Sequence, residues 1–126
     1  MQLHGGGHSI RSFIHMKDVA DATYRIAVDG VAGESYHIST NDTASIRELV
    51  QKVCALTGRP FADLAVVSED RLGKDQAYLL DSEKLRKDLG WSHTVSLDDG
   101  LDETLAWVDD HLDVLKTLPA DYIHKP

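Results

Sequence analysis

The feature that most constrains this chain is the stretch from Ile10 to Asp21, where the residue pattern changes from that of a strand to that of a helix. Ile10, Phe13 and Ile14 favour a β-strand. Asp18 is a suitable N-cap for the helix that follows. The helical stripe then continues through Val19, Ala22, Thr23, Ile26 and Ala27. The stretch therefore predicts a strand that runs directly into a helix.

Arg11 lies in the predicted strand, and no acidic residue is near it in the sequence. A strand that carries an unpaired arginine to the mouth of a sheet, beside a helix N-terminus, is suited to hold an anion. A surface arginine without a ligand is the simpler interpretation of the same pattern. This stretch alone leaves both interpretations open.

The composition limits the classes of partner. The 126 residues are enough for one domain with one modest core, and the net charge of -8 argues against a nucleic-acid or anionic-membrane surface. No apolar run approaches the roughly 18 residues that span a bilayer. Cys54 is the only cysteine, so an internal disulfide is excluded and a reducing compartment is indicated. We expect a cytoplasmic protein that binds neither nucleic acid nor membrane.

Further along the chain, strand and helix patterns alternate. Ser45 and Glu48 form a capping-box pattern at the start of the second helix, and Gly58 follows its end. The predicted elements are a helix at 17–29, strands at 35–39, 64–67 and 77–80, a short helix from 82 to 89, and a last helix from Ser96 to Pro119. We expect the tail from 120 to 126 to be irregular. This order predicts an α/β fold with few short strands and about four helices, without a complete doubly wound sheet.

Two features near the beginning suggest sites that we set aside. Gly5, Gly6 and Gly7 resemble a phosphate loop, but the sequence shows neither a strand before them nor a helix after them, so we expect a tight turn. Three histidines occur in the first fifteen residues, at a spacing that matches no compact metal-ligand pattern. We therefore expect no metal site.

The motifs of a complete enzyme are also absent from the sequence. It contains no Gly-x-Gly-x-x-Gly for a dinucleotide pyrophosphate, and no tyrosine is followed four residues later by a lysine. It likewise contains no Gly-x-Ser-x-Gly, no P-loop and no zinc-protease helix. From its own residues, the chain lacks a catalytic apparatus that we can identify.

Five segments nevertheless occur in the order and spacing of one known family. They are Leu3–Gly7, the stretch 10–20, Gly33–Ile38 (Gly-Glu-Ser-Tyr-His-Ile), Asp70–Asp75 (Asp-Arg-Leu-Gly-Lys-Asp) and Asp81–Trp91. Together they resemble the C-terminal, substrate-binding part of extended short-chain dehydrogenases/reductases, the NAD-dependent nucleotide-sugar epimerases and dehydratases. The resemblance is strongest to the dTDP- and CDP-glucose 4,6-dehydratases, and it runs nearly from end to end.

The resemblance implies specific roles. Arg11 matches the arginine that contacts the diphosphate of the nucleotide sugar, and Arg71 matches a second such arginine. Lys74 replaces a histidine of the family in the same loop and still provides a positive charge there. Ser45 takes the place of an asparagine that approaches the substrate, and no residue of this chain matches a catalytic one. Two guanidinium groups on one diphosphate would supply both charge and geometry.

The resemblance also implies how the chain is organised. Residues 1–126 are expected to form a single substrate-binding domain, while the Rossmann domain that binds NAD in the full-length family is absent from this chain. The chain alone is then expected to bind no cofactor, and it would be an excised fragment, a truncated gene product or one half of a split enzyme. Two alternatives stay open: a fragment of a nucleotide-sugar 4-epimerase, or a non-catalytic binding or homo-oligomerisation module.

Overall fold

The computed structural model of the chain describes residues 1–70, 73 and 75–119. Five short strands and six helices follow one another in these residues. The strands are β1 (Gln2–His4), β2 (Ile10–Ser12), β3 (Thr43–Ser45), β4 (Val66–Ser68) and β5 (Ala77–Tyr78). The helices are α1 (Met16–Asp29), α2 (Ile46–Thr57), α3 (Phe61–Leu64), α4 (Glu83–Leu89), α5 (Leu97–Asp110) and α6 (Leu112–Leu115).

The strands form two small sheets. β1 pairs in parallel with β4, and β2 lies in the middle of a three-stranded sheet between antiparallel β3 and parallel β5. The α/β class and the lack of a complete sheet in the described residues confirm the predicted fold class. The helix count exceeds the expected four because α3 and α6 are single turns that the sequence pattern did not separate from their neighbours.

Several predicted boundaries are confirmed by the structure. α1 ends at Gly30, and α2 begins after Ser45 with a complete capping box to Glu48. Gly58 and Gly90 end α2 and α4 with positive φ angles of 64° and 61°, a backbone conformation that glycine adopts at low cost.

One core cluster lies beneath the first sheet. Leu3, Val50 and Ala65 are buried there, and Phe61 and Cys54 pack against them. Cys54 is a half-buried free thiol within this apolar cluster, in agreement with the structural role that its position in the α2 stripe suggests.

The second core cluster joins α1 to α4. Ala22, Leu85 and Trp91 are buried in it, with Tyr36 and Ile38 among the half-buried residues that pack against them. Trp91 is 1% exposed and packs the end of α4 onto the core.

The prediction that Asp18 caps α1 is wrong. His15 is the N-cap, and its ring accepts a hydrogen bond from the Lys17 N–H. Asp18 lies in the first turn of the helix and is 3% exposed. Its carboxylate accepts hydrogen bonds from the N–H and hydroxyl of Thr94 at 2.9 and 2.8 Å and from the Val95 N–H at 3.1 Å. It therefore connects α1 to the segment before α5.

Four further predictions need correction. A strand, β1, does precede the three glycines, and it forms by pairing with the distant β4. The sequence near β1 gives no sign of this partner. The strand expected at 35–39 belongs to no strand pair in the described residues, although Tyr36 and Ile38 do face the core as its alternation predicted. The strand expected at 64–67 is shifted to β4 because α3 occupies its beginning. The single last helix is broken at His111 into α5 and α6.

A cavity of about 210 Å³ lies between the end of β2, α2 and α5. Its lining is mainly apolar and includes neither Arg11 nor Ser45. None of the described helices combines the length and the apolar character that a bilayer crossing requires. The predicted irregular tail at 120–126 lies outside the described residues.

Candidate functional site

Arg11 lies in β2, the central strand of the three-stranded sheet, opposite Ala44 of β3 and Tyr78 of β5. Its side chain is half-buried. One terminal nitrogen of the guanidinium donates to the carbonyl of Ile10 at 2.7 Å, and the other donates to the carbonyl of Asp75 at 3.2 Å. These two bonds fix the plane of the guanidinium and use two of its five N–H donors.

The charge of Arg11 is not neutralised by these contacts. Both acceptors are uncharged carbonyls, and no carboxylate pairs with this guanidinium among the residues that the structure describes. A fixed, half-buried guanidinium without a carboxylate partner is suited to bind an anion through two parallel N–H···O bonds.

Residues 75 and 76 lie against Arg11 and its neighbour Ile10. Besides the Asp75 carbonyl, the carbonyl of Gln76 accepts a hydrogen bond from the Ile10 N–H at 2.8 Å. The structure thus brings together two of the segments that carry the resemblance. The other two cations of the predicted site, Arg71 and Lys74, lie outside the described residues, so their role stays a prediction.

Ser45 is on the strand next to Arg11, because it pairs with Ile10 in the antiparallel ladder. Its hydroxyl oxygen accepts from the Glu48 N–H at 3.1 Å, and the hydroxyl donates to the Glu48 carboxylate at 2.8 Å. Hydrogen bonds from the Ser45 backbone and side chain lower the pKa of Glu48. The described role of this hydroxyl is to cap α2, and its contact with a substrate stays a prediction.

The glycine turn between β1 and β2 has positive φ at all three residues, 57°, 68° and 75° for Gly5, Gly6 and Gly7. The chain leaves this turn into the strand β2. A dinucleotide pyrophosphate site needs a glycine turn that opens a helix, so that the helix N-terminus faces the phosphates. The turn therefore does not fit NAD, and we assign no NAD contact to the described residues.

The histidines have local partners. His4 shares its Nδ1 with the Ser68 hydroxyl at 3.0 Å and with the Glu69 carbonyl at 3.3 Å. His15 caps α1, and its Nε2 lies 3.7 Å from the Glu103 carboxylate. Within the ranges 1–70 and 75–119, no group of three or more metal-ligating side chains comes together.

Sequence reasoning missed Arg47. It lies in the first turn of α2, and its Nε donates to the Gly6 carbonyl at 2.7 Å. Its guanidinium also lies 5.2 Å from the centroid of the Phe61 ring. A cation at a helix N-terminus is unfavourable with respect to the helix dipole, and this is the signal in the sequence that points to another role for Arg47.

Comparison with known proteins gives a consistent result. The sequence profile of the family described as GDP-mannose 4,6 dehydratase matches residues 1–104. The dTDP-glucose 4,6-dehydratase of Neisseria gonorrhoeae is 32% identical over 121 residues, which cover 88% of this chain and 35% of that protein. The chain spans about a third, or less, of the length of the curated relatives that it matches.

Solved structures agree with the sequence comparison. DesIV, a dTDP-glucose 4,6-dehydratase from Streptomyces venezuelae crystallised with NAD, superposes with a TM-score of 0.84 at 30% identity, over 90% of this chain and 35% of that one. The UDP-glucose 4-epimerase of Thermotoga maritima with UDP-glucose superposes with a TM-score of 0.79 at 26% identity, over 89% of this chain and 35% of that one.

Proposed function

The chain belongs to the NAD-dependent dehydratase/epimerase family of extended short-chain dehydrogenases/reductases, and from this membership we propose that it is the nucleotide-sugar-binding part of a nucleotide-diphosphate-glucose 4,6-dehydratase. Its substrate would be a nucleotide-diphosphate sugar of the dTDP-glucose kind. Arg11 and Arg71 would hold the diphosphate, with Lys74 adding a point charge and Ser45 lying beside the sugar.

One observation carries this proposal, namely the way in which Arg11 is held. Carbonyls from two separate segments fix its guanidinium, and no described carboxylate neutralises it. Each hydrogen bond from a charged donor to a phosphate oxygen contributes about 1.5–3 kcal/mol. The resemblance of segment 70–75 to the second arginine motif supports the assignment of Arg71, which follows from that resemblance alone.

The catalytic chemistry is assigned to a second half. We propose that a Rossmann domain, in the same chain or in a separate one, holds NAD and supplies the residues of hydride transfer and elimination. Exposed apolar side chains on β4, on β5 and after β5 support such a partner: Val66 (66%), Val67 (54%), Tyr78 (59%) and Leu79 (54%). Apolar side chains that stay exposed on strands are candidate contacts for such a partner.

The binding proposal is tested by titrating the chain with UDP and with dTDP in a calorimeter. We expect Arg11→Ala to weaken binding by at least about 10-fold, because the loss of even one charge-assisted hydrogen bond costs about 1.5–3 kcal/mol. Arg25→Ala is the matched control, because Arg25 is an exposed cation on α1 that pairs with Asp21 at 2.9 Å. Equal affinity in the Arg11→Ala variant and the unaltered chain would refute the proposed role of Arg11.

A 4-epimerase is the second candidate, because the Thermotoga maritima epimerase superposes almost as well as the dehydratase. The two reactions leave different products. A dehydratase forms a 4-keto-6-deoxy sugar, whereas an epimerase inverts C4 and keeps the hydroxyl at C6. NMR of the sugar produced by the chain together with its NAD-binding half separates the two.

A stand-alone homo-oligomerisation module is the third candidate, and the same exposed apolar side chains favour it. Sedimentation velocity in the presence and absence of UDP distinguishes this candidate from a substrate-binding part. Self-association without any nucleotide binding would support the module.

A further inference from the structure

The guanidinium of Arg47 is tied to the backbone of the glycine turn. Its Nε–H donates to the Gly6 carbonyl at 2.7 Å, and the bond is partly shielded from solvent. A Cβ built on Gly6 would lie 3.7 Å from a terminal nitrogen of Arg47, so the turn and the guanidinium are in direct contact. Phe61 supports the guanidinium from 5.2 Å, a distance at which a cation and an aromatic ring attract each other.

The residues before Arg47 hold the next part of the same segment. The Ile46 N–H donates to the Ser9 carbonyl at 3.1 Å, and Ser45 pairs with Ile10 in the ladder. Ser45, Ile46 and Arg47 thus contact Ile10, Ser9 and Gly6 in turn, and these three residues lie just before Arg11 in the chain. Only the contact made by Arg47 depends on a side chain and can be removed by substitution without altering the backbone.

We propose that Arg47 is a positioning residue for the diphosphate site, and this inference rests on the proposed function of Arg11. Through the Gly6 carbonyl, Arg47 fixes the glycine turn and hence the exit of the chain into β2. The turn leads into Arg11 after only three residues, so a change in its shape moves the strand that carries this arginine. Arg47 itself makes no contact with the diphosphate in this assignment.

Two substitutions separate the hydrogen bond of Arg47 from its charge. A glutamine places its amide nitrogen the same number of bonds from Cα as the Nε of arginine, so Arg47→Gln keeps a donor to the Gly6 carbonyl and loses the charge. Arg47→Lys keeps the charge but has a methylene at that position. Arg47→Ala removes both, and Arg25→Ala controls for the loss of a positive charge elsewhere.

The first measurement is amide hydrogen exchange of Ile10 and Ile46 by NMR in the unliganded chain, because their N–H groups donate to the Gln76 and Ser9 carbonyls on either side of the segment that Arg47 holds. We expect exchange at these amides to become about 10-fold faster in Arg47→Ala and Arg47→Lys. Arg47→Gln and Arg25→Ala should stay within about threefold of the unaltered chain, because both keep a donor to Gly6. Unchanged exchange in Arg47→Ala would overturn the inference, whether or not the chain binds a nucleotide.

The second measurement is the affinity for UDP and dTDP. We expect Arg47→Ala and Arg47→Lys to weaken binding by about 5- to 10-fold, with Arg47→Gln within about threefold of the unaltered chain. In the Arg11→Ala background, Arg47→Ala should have no further effect, because Arg47 acts through Arg11. If Arg47→Lys binds normally while Arg47→Gln does not, or if the two alanine substitutions are additive, Arg47 contacts the ligand itself and the inference is overturned.

The two experiments distinguish the inference from the proposed function. If the unaltered chain binds neither UDP nor dTDP, the proposed function is refuted. The part of the inference that links Arg47 to nucleotide affinity is then refuted with it. The exchange rates still decide whether Arg47 holds the turn. If the chain binds and Arg11→Ala weakens binding, but no substitution of Arg47 does, the proposed function stands and the inference falls.

Discussion

Replacing Asp18 by asparagine tests how the first helix is joined to the rest of the protein. The Asp18 carboxylate is 3% exposed and accepts three hydrogen bonds from Thr94 and Val95. The asparagine amide has almost the same shape but only one acceptor oxygen. If that oxygen keeps the two bonds from Thr94, the amide NH₂ faces the Val95 N–H, and that buried donor loses its partner.

The cost follows from the bonds that are lost or weakened. An unsatisfied buried donor costs about 1–3 kcal/mol, and two remaining bonds to a neutral acceptor in place of a charged one lose about 1 kcal/mol each. We therefore expect Asp18→Asn to lower the free energy of unfolding by about 3–5 kcal/mol at pH 7. For a domain of this size the melting temperature would fall by about 12–20 °C.

The pH dependence gives an independent check. Burial raises the pKa of Asp18, but the hydrogen bonds from Thr94 and Val95 outweigh burial and lower its pKa below the ordinary 3.8. A carboxylate with a lowered pKa in the folded state stabilises the protein above its unfolded-state pKa, and it loses this contribution as the pH falls through the folded-state value. The stability difference between Asp18→Asn and the unaltered chain should therefore shrink below about pH 4.

The assay is urea unfolding followed by circular dichroism from pH 7 down to pH 2.5. Asp21→Asn is the matched control, since Asp21 lies on the same helix, is exposed, and pairs with Arg25 at the surface. Its effect should stay within about 0.5 kcal/mol. The reasoning would be refuted if Asp18→Asn costs no more than this control, or if its cost does not change with pH.

Three further predictions concern the turn, the core and the cap. Gly7→Ala should lower the free energy of unfolding by about 2–4 kcal/mol, because its φ is 75° and the new methyl group would lie 2.8 Å from the buried side chain of Leu3. Gly58→Ala has a similar φ but open space around it, so we expect about 1 kcal/mol by the same urea unfolding assay. Leu85→Ala should cost about 2–5 kcal/mol in that assay, because this fully buried side chain leaves a cavity between α1 and α4. Ser45→Ala should lower the free energy of unfolding by about 1 kcal/mol through loss of the α2 cap. Ser45→Asn should keep that stability, because asparagine can also cap a helix. A calorimetric titration of both variants with UDP would then show whether Ser45 also affects binding.

The sequence by itself determined the features that depend on neighbouring residues. The capping box of Ser45 and Glu48 and the glycine that ends α2 both follow from local chemistry and helical spacing. The family was recognised from short motifs in a fixed order. The motif around Arg11 and the lack of a nearby acid both predict this arginine as an anion ligand. Its bond to the carbonyl of Asp75, the last residue of the segment 70–75, was not predictable from sequence.

Only the tertiary structure decided the features that join distant parts of the chain. β1 exists because β4, more than sixty residues away, offers it a partner, and no local pattern in three residues reveals such a pairing. Asp18 looks like a helix cap in sequence, yet it binds Thr94 because folding brings the segment before α5 to α1. Arg47 likewise gained its role from a carbonyl on another element. A hydrogen-bonding group, in the backbone or in a side chain, pairs with whichever partner folding brings within reach, and for β1, Asp18 and Arg47 that partner lies far away in sequence.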